Sequence, residues 1–287
     1  MPKPFLDSLT QGSRDKVKYL LVFSSLFLIG TIWYLNEIQT GNLVTDVSAI
    51  QPIAFFETKW LYTILLIFTG SFPFIFGFLP QLKFHKQWGN VLLANLPVTA
   101  FFILWDIYFT QKGVWGFSKA YTTGFQFIGL PWEECLFFLI IPLACTFIYW
   151  SLNSVIIKEP FRRIEQSVSI VLIIFLLAIG LWNWNHIYTS TATILSALFL
   201  TYHILFIPAG YRGRFYLAYI VSCIPFLLVN GVLTGGFTEG PVVMYNPDEY
   251  FGLRVGTVPV DDFAYSFLML FANITLFEAI SKKTAKV

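Results

Sequence analysis

Apolar residues in this chain gather in blocks about 20 long, divided by stretches rich in glycine, proline and charge. A hydrocarbon core about 30 Å thick takes about 20 mainly apolar residues to cross as a helix. By that measure eight segments predict membrane-spanning helices: 17–35, 60–79, 91–110, 131–150, 166–184, 189–208, 214–233 and 262–280. The first begins after Lys16, has no A-x-A-like cleavage site and is long for a signal-peptide core, so it reads as a retained anchor helix. Pro73, Pro97, Pro142 and Pro225 fall inside spans, where neighbouring helices or waters can satisfy the carbonyls that proline frees. The expected fold is therefore all-α, a polytopic membrane helix bundle.

Composition sharpens that reading. The chain is 56% hydrophobic and only 12% charged, against about 25% charged in an ordinary soluble protein. A soluble Rossmann or TIM-barrel enzyme is excluded on that ground, and so is a disordered chain. No basic patch interleaved with polar surface occurs, which argues against nucleic acid as a partner. Cys135, Cys145 and Cys223 lie in apolar runs without a C-x-x-C, so they read as buried thiols rather than as a disulfide framework or zinc site.

The placement of charge predicts the topology, because cytoplasmic loops are enriched in lysine and arginine. With the N-terminus inside, fourteen of the 18 cations fall on the inner side, leaving Lys59, Lys112, Lys119 and Arg254 outside. The expectation is a cell-membrane protein with eight spans and both termini cytoplasmic. Acidic residues do the opposite: of 16, only Asp7, Asp15, Glu159, Glu165 and Glu278 are on the inner side.

A shift of 128 residues aligns the chain with itself. Pro131-Trp132-Glu133-Glu134 returns as Pro259-Val260-Asp261-Asp262, Pro97 as Pro225 and Pro80 as Pro208. Each acidic pair opens an aromatic-rich helix. The unit is three spans, and segment 166–184 between the copies restores the direction, so the repeats are parallel and both acidic pairs face the outer side. The predicted organisation is an N-terminal extension with the anchor helix (1–58), a first repeat (59–152), a linker helix (153–188) and a second repeat (189–287).

Five acids sit in or at the edge of apolar segments: Asp106, Glu133, Glu134, Asp261 and Asp262. Proline followed by carboxylates suits the first turn of any helix. Two such pairs, with Asp106 at the same depth, ask for more than capping, since an ionisable group inside a span is expensive to keep. In the second repeat Asn230 stands near the position of Asp106. At helical spacing Glu134, Phe137, Phe138 and Ile141 share one face, as do Asp262, Tyr265, Ser266 and Met269. Removal from water disfavours the ionised form of a carboxyl group. A neutral acid beside an apolar substrate can donate a proton, and a neighbour can take one back.

Other chemistries lack their residues. There is no D-x-x-x-D to hold Mg²⁺ for diphosphate chemistry, no G-x-G-x-x-G for a flavin or nicotinamide, and no lysine in the interior of a span for a retinal Schiff base. The histidines form no metal-binding motif. What remains is acid–base chemistry on a hydrophobic molecule, with no cofactor and no metal. Trp105, Trp115, Phe137, Phe138 and Tyr265 lie near the acids, where aromatic faces attract positive charge; Trp60, Trp88, Trp182, Trp184 and Tyr188 read as interfacial belt residues. The outer loops 111–130 and 234–259 lead straight into the acidic pairs and suggest a lid, with Arg254 in reach of Asp261 or Asp262. A proton-coupled transporter would also use intramembrane carboxyls and parallel repeats, but would place them near the bilayer midplane rather than at helix ends.

P-x-E-E followed by x-x-F-F, preceded by Trp105-Asp106 and by Gly113-Val114-Trp115-Gly116-Phe117, with a second P-V-D-D copy, resembles the integral-membrane lycopene cyclases. The resemblance covers about 60–281, and the chain looks like a fused form of two three-span subunits; Asp261 stands where the family pattern expects glutamate. The resemblance implies isomerisation of the acyclic ends of lycopene to β-rings within the bilayer, without net redox change. Glu133, Glu134, Asp261, Asp262 and Asp106 would then be catalytic, and Phe137, Phe138, Trp105, Trp115, Tyr265, Asn230 and Arg254 would meet the substrate. It also implies association with other carotenoid-pathway enzymes, and leaves open a non-catalytic subunit of such an assembly.

Overall fold

The computed structural model describes residues 51–156, 161–207 and 210–284; the expected anchor helix at 17–35 lies outside the described residues. Seven α-helices run in order: α1 (Leu61–Phe76), α2 (Trp88–Lys112), α3 (Trp132–Val155), α4 (Glu165–Trp182), α5 (Ile187–Phe206), α6 (Arg212–Leu233) and α7 (Asp261–Thr284). Six of them, α2 to α7, are long and apolar enough to cross a membrane, which makes this a multi-pass membrane protein.

Eight spanning helices are not reached among the described residues. Helix α1 has 16 residues, short of the 60–79 window. That window includes Phe78 and Leu79, which are apolar but lie in turns: the Leu79 amide bonds to the Phe76 carbonyl and the Lys83 amide to the Leu79 carbonyl. Apolarity and helicity part company there because Gly77 and Pro80 break the helix.

The two repeats are packed in matching ways. Helix α1 packs on α3 as α5 packs on α7, while α2 lies against α7 and α6 against α3. The halves therefore exchange helices across a common core, with α3 and α7 in contact at its centre. Helix α4 packs along α5. At Gly180 the approach is so close that an added Cβ would lie 2.5 Å from the Thr193 hydroxyl and 2.6 Å from Ile194.

Proline in a helix leaves the carbonyl four residues back without its amide partner. In α3 the carbonyl that Pro142 frees is that of Phe138, and the Thr99 hydroxyl of α2 donates to it at 2.8 Å. The Asn95 amide takes the next carbonyl, Leu139, also at 2.8 Å. Proline thus fastens α3 to α2 directly beneath the acidic pair.

Six short strands lie in the two long loops. Strands β2 (Gln126–Phe127) and β3 (Leu130–Pro131) form one hairpin, and β5 (Arg254–Val255) and β6 (Val258–Pro259) form its counterpart. Each turns on a glycine in the left-handed region, Gly129 at φ 86° and Gly256 at φ 64°. Each hairpin ends on the proline that starts the following helix. The Trp132 amide bonds to the Phe125 carbonyl and the Val260 amide to the Leu253 carbonyl, both at 3.0 Å. Strands β1 (Trp115–Phe117) and β4 (Val243–Tyr245) come from opposite repeats and pair antiparallel, Trp115 facing Tyr245 and Phe117 facing Val243.

Candidate active site

All five acids singled out in the sequence are buried, but they do two different things. Glu133 turns sideways. Its Oε1 accepts the Thr123 amide at 2.8 Å and the Thr123 hydroxyl at 2.7 Å. Asp261 does the same in the second repeat, accepting the Thr189 hydroxyl at 2.5 Å and the Phe251 amide at 3.3 Å. Thr123 and Phe251 are ten residues before their acids. The first acid of each pair thus ties down the loop that precedes its helix, and neither lines the central cavity.

The second acids face inward. Glu134, Asp262 and Asp106 all line one cavity of about 60 Å³ between the halves. The Tyr62 hydroxyl donates to Glu134 at 2.5 Å. The Tyr188 hydroxyl donates to Asp262 at 2.6 Å, and the Tyr245 hydroxyl reaches both oxygens of Asp262 at 3.1 and 3.0 Å. The Trp115 indole N–H donates to one oxygen of Asp106, while the other is buried without a partner among the described residues. Tyr245 lies in the loop, outside the spanning helices; burial, reinforced by Asp262, pushes its phenol well above the ordinary value. It therefore stays a hydrogen-bond donor.

Aromatic rings wall this chamber. Tyr265 from α7 has the Trp105 ring at 5.2 Å, Trp115 at 5.9 Å and Tyr188 at 5.9 Å, centroid to centroid. Trp115 lies 5.0 Å from Tyr188. The Tyr265 hydroxyl is buried with no partner among the described residues. Phe137, Phe138, Trp115, Tyr265 and Asn230 all face the cavity, as do Ile141, Ser266 and Met269. Both helical faces drawn from the sequence converge on it.

Two expected contact residues stand one step back. Trp105 is buried behind Tyr265, stacked on Phe102. Arg254 was expected to bridge an acid of the second pair. It donates to the Thr257 carbonyl at 2.5 Å and the Tyr250 hydroxyl at 3.1 Å, and its guanidinium lies over the Tyr250 and Tyr245 rings. The Tyr245 ring under the guanidinium carries the hydroxyl that bonds to Asp262.

From the outer loops expected to form a lid, Trp115, Phe117, Val243 and Tyr245 of the β1–β4 pair line the chamber. Tyr188 corrects another expectation: at 2% exposed it is no belt residue, because its hydroxyl is needed at Asp262. Sequence reading missed Tyr62, Thr63, Thr123, Tyr188, Thr189 and Tyr245 as partners of the acids. A signal existed for four of them, since Tyr62-Thr63 returns as Tyr188-Thr189. The offset is 126 rather than 128, so an ungapped comparison passes over it.

The sequence profile of the lycopene cyclase family matches residues 59–152 and 185–280, more than half of the chain. The chain belongs to the lycopene cyclase family. Each matched segment carries one acidic pair, the Tyr-Thr that bonds to it and one loop hairpin. Among curated proteins, the chain is similar to a bifunctional lycopene cyclase/phytoene synthase of Neurospora crassa, 25% identical over 123 residues. That alignment covers 40% of this chain and 20% of the relative. No solved structure matches.

Proposed function

We propose that the chain is a lycopene cyclase that works by proton transfer alone, converting the acyclic ends of lycopene to β-ionone rings inside the membrane. The supporting observation is the convergence of Glu134, Asp262 and Asp106 on one aromatic-walled cavity between the repeats. In this reading a protonated carboxyl delivers H⁺ to the terminal double bond of the substrate. The tertiary cation formed is attacked by the internal alkene, closing the six-membered ring. A carboxylate then removes a proton from a ring carbon, so atoms and electrons balance as an isomerisation.

We assign the donor role to Glu134 and the acceptor role to Asp262. Hydrogen bonds to the charged form favour it, and Asp262 receives two phenol hydroxyls where Glu134 receives one. Asp106, which also lines the cavity, turns a carboxyl oxygen without a partner among the described residues toward the cation. The rings of Trp115, Tyr188 and Tyr265 add their quadrupoles and keep water from trapping the cation. Glu133 and Asp261 are positioning residues that hold the loops over the site. With both termini cytoplasmic, the acid chamber lies toward the outer face. The Neurospora relative joins a cyclase and a phytoene synthase in its name, and association with other carotenoid-pathway enzymes fits this chain too.

The test is expression in a lycopene-accumulating bacterium, with pigments separated and identified. Red pigment turning yellow, with ring-bearing products, supports the reading; unchanged lycopene from well-expressed, membrane-inserted protein overturns it.

A further inference from the structure

A second cavity, of about 310 Å³, opens between α1, α3 and α6. It adjoins the acid chamber: Phe137, Ile141, Cys145, Ser222, Phe226 and Asn230 line both. Its own walls are predominantly apolar. Phe68, Phe72 and Leu228 at its rim are 54%, 43% and 67% exposed, so it opens on the lateral surface of the bundle. Ala144, ten residues along α3 from Glu134, is part of the wall. At 1.5 Å per residue that depth is about 15 Å below the acids, within the zone that hydrocarbon occupies in a bilayer.

At the positions matching Phe68, Ile141 and Cys145 the second half is less exposed. The Tyr-Thr offset puts Ile194 where Phe68 stands, and α4 presses on Ile194 through Gly180. On α7, Met269 and Asn273 replace Ile141 and Cys145 and are both fully enclosed; the Asn273 amide donates to Thr146 at 2.9 Å. Near-symmetric halves thus present an open side and a covered side, and the linker helix is what covers the second.

From this asymmetry we infer that the α1/α3/α6 opening is a lateral port, through which a neutral linear hydrocarbon chain slides from the bilayer into the acid chamber and in which its unreacted length rests. The inference builds on the cyclase reading but makes its own claim about route and ligand. The wall has no charged side chain, and the Thr69 hydroxyl is already bonded to the Leu65 carbonyl at 2.8 Å. A polar headgroup would find little to bind; a polyene chain would find apolar and aromatic surface along its length.

The experiment uses the full chain in lipid vesicles with an achiral linear polyene hydrocarbon. Circular dichroism induced in the polyene band reports seating in a chiral site, and ring formation is followed separately. Ala144→Phe should weaken the induced band and raise KM at least tenfold, with kcat changed much less. Thr69→Leu, a smaller intrusion at the rim, should act in the same direction and carries the test if Ala144→Phe does not fold. Ile224→Phe, next to the port on α6 but 66% exposed and lining neither cavity, should behave as the parent. A folded Ala144→Phe or Thr69→Leu with parental KM and parental induced dichroism overturns the port. A port-dependent dichroic band without any ring product would instead sink the cyclase reading and leave the port standing.

Discussion

The two acid sites differ by one hydroxyl group. In both, a tyrosine at the start of a helix donates to the inward acid, Tyr62 to Glu134 and Tyr188 to Asp262. Only the second receives another phenol, from Tyr245. The residue 128 positions before Tyr245 is Phe117, which also lines the chamber but brings no donor. A duplicated scaffold has thus diverged where it lines the chamber. A site with two copies of one carboxyl environment would offer two equal acids; in the proposed mechanism, unequal donor sets separate the roles of acid and base.

The largest effect expected is from removing the inward acids. Glu134→Gln or Asp262→Asn should lower cyclisation by about 10²–10⁴-fold, the usual worth of a general acid or base. Glu133→Gln and Asp261→Asn should fall well short of that. Pigment conversion per unit of folded protein decides it, and equal losses from all four would erase the division between inward and sideways acids. Next comes the added phenol. Tyr245→Phe removes a hydrogen bond to a charged group, worth about 1.5–3 kcal/mol, and should slow turnover by about 10- to 100-fold while leaving the fold intact. Phe117→Tyr tests the same difference from the other side. A second donor at Glu134 favours its charged form, so turnover should fall; a rise in turnover would reverse the assignment of acid and base. Asp106→Asn keeps an acceptor for the Trp115 indole but loses the ionisable carboxyl, and about a tenfold loss of turnover is expected, about 1.4 kcal/mol of barrier. The smallest effects belong to the hairpins. Gly129→Ala and Gly256→Ala each force a side chain into the left-handed region, costing about 1–2 kcal/mol. Both sites have open space around the Cβ position, so the two losses in thermal stability should be alike.

Much of the fold was legible because the bilayer imposes a length rule that composition obeys. Helices α2 to α7 each overlap an expected span, and the acidic pairs fall in the first turns of α3 and α7 as their prolines predict. The rule failed at α1, where apolar residues sit in turns. The converging faces of α3 and α7 were legible too, since helical periodicity needs no partner to be read. The short strands were not: β1 and β4 are three residues each and exist only because loops 128 residues apart meet.

The sequence by itself determined that this is a membrane bundle built twice over, that carboxyls cluster at one end of it, and that they sit beside aromatic surface. Those features follow from spacing along one chain and from the cost of placing charge in hydrocarbon. Only the tertiary structure decided which acid of each pair faces the chamber, which hydroxyls hold it, and that Arg254 lies over the Tyr245 and Tyr250 rings. Adjacent residues on a helix point about 100° apart, so one of two neighbouring acids must turn away, and which one depends on what stands opposite. That partner comes from another helix or the other repeat, and no local pattern encodes it.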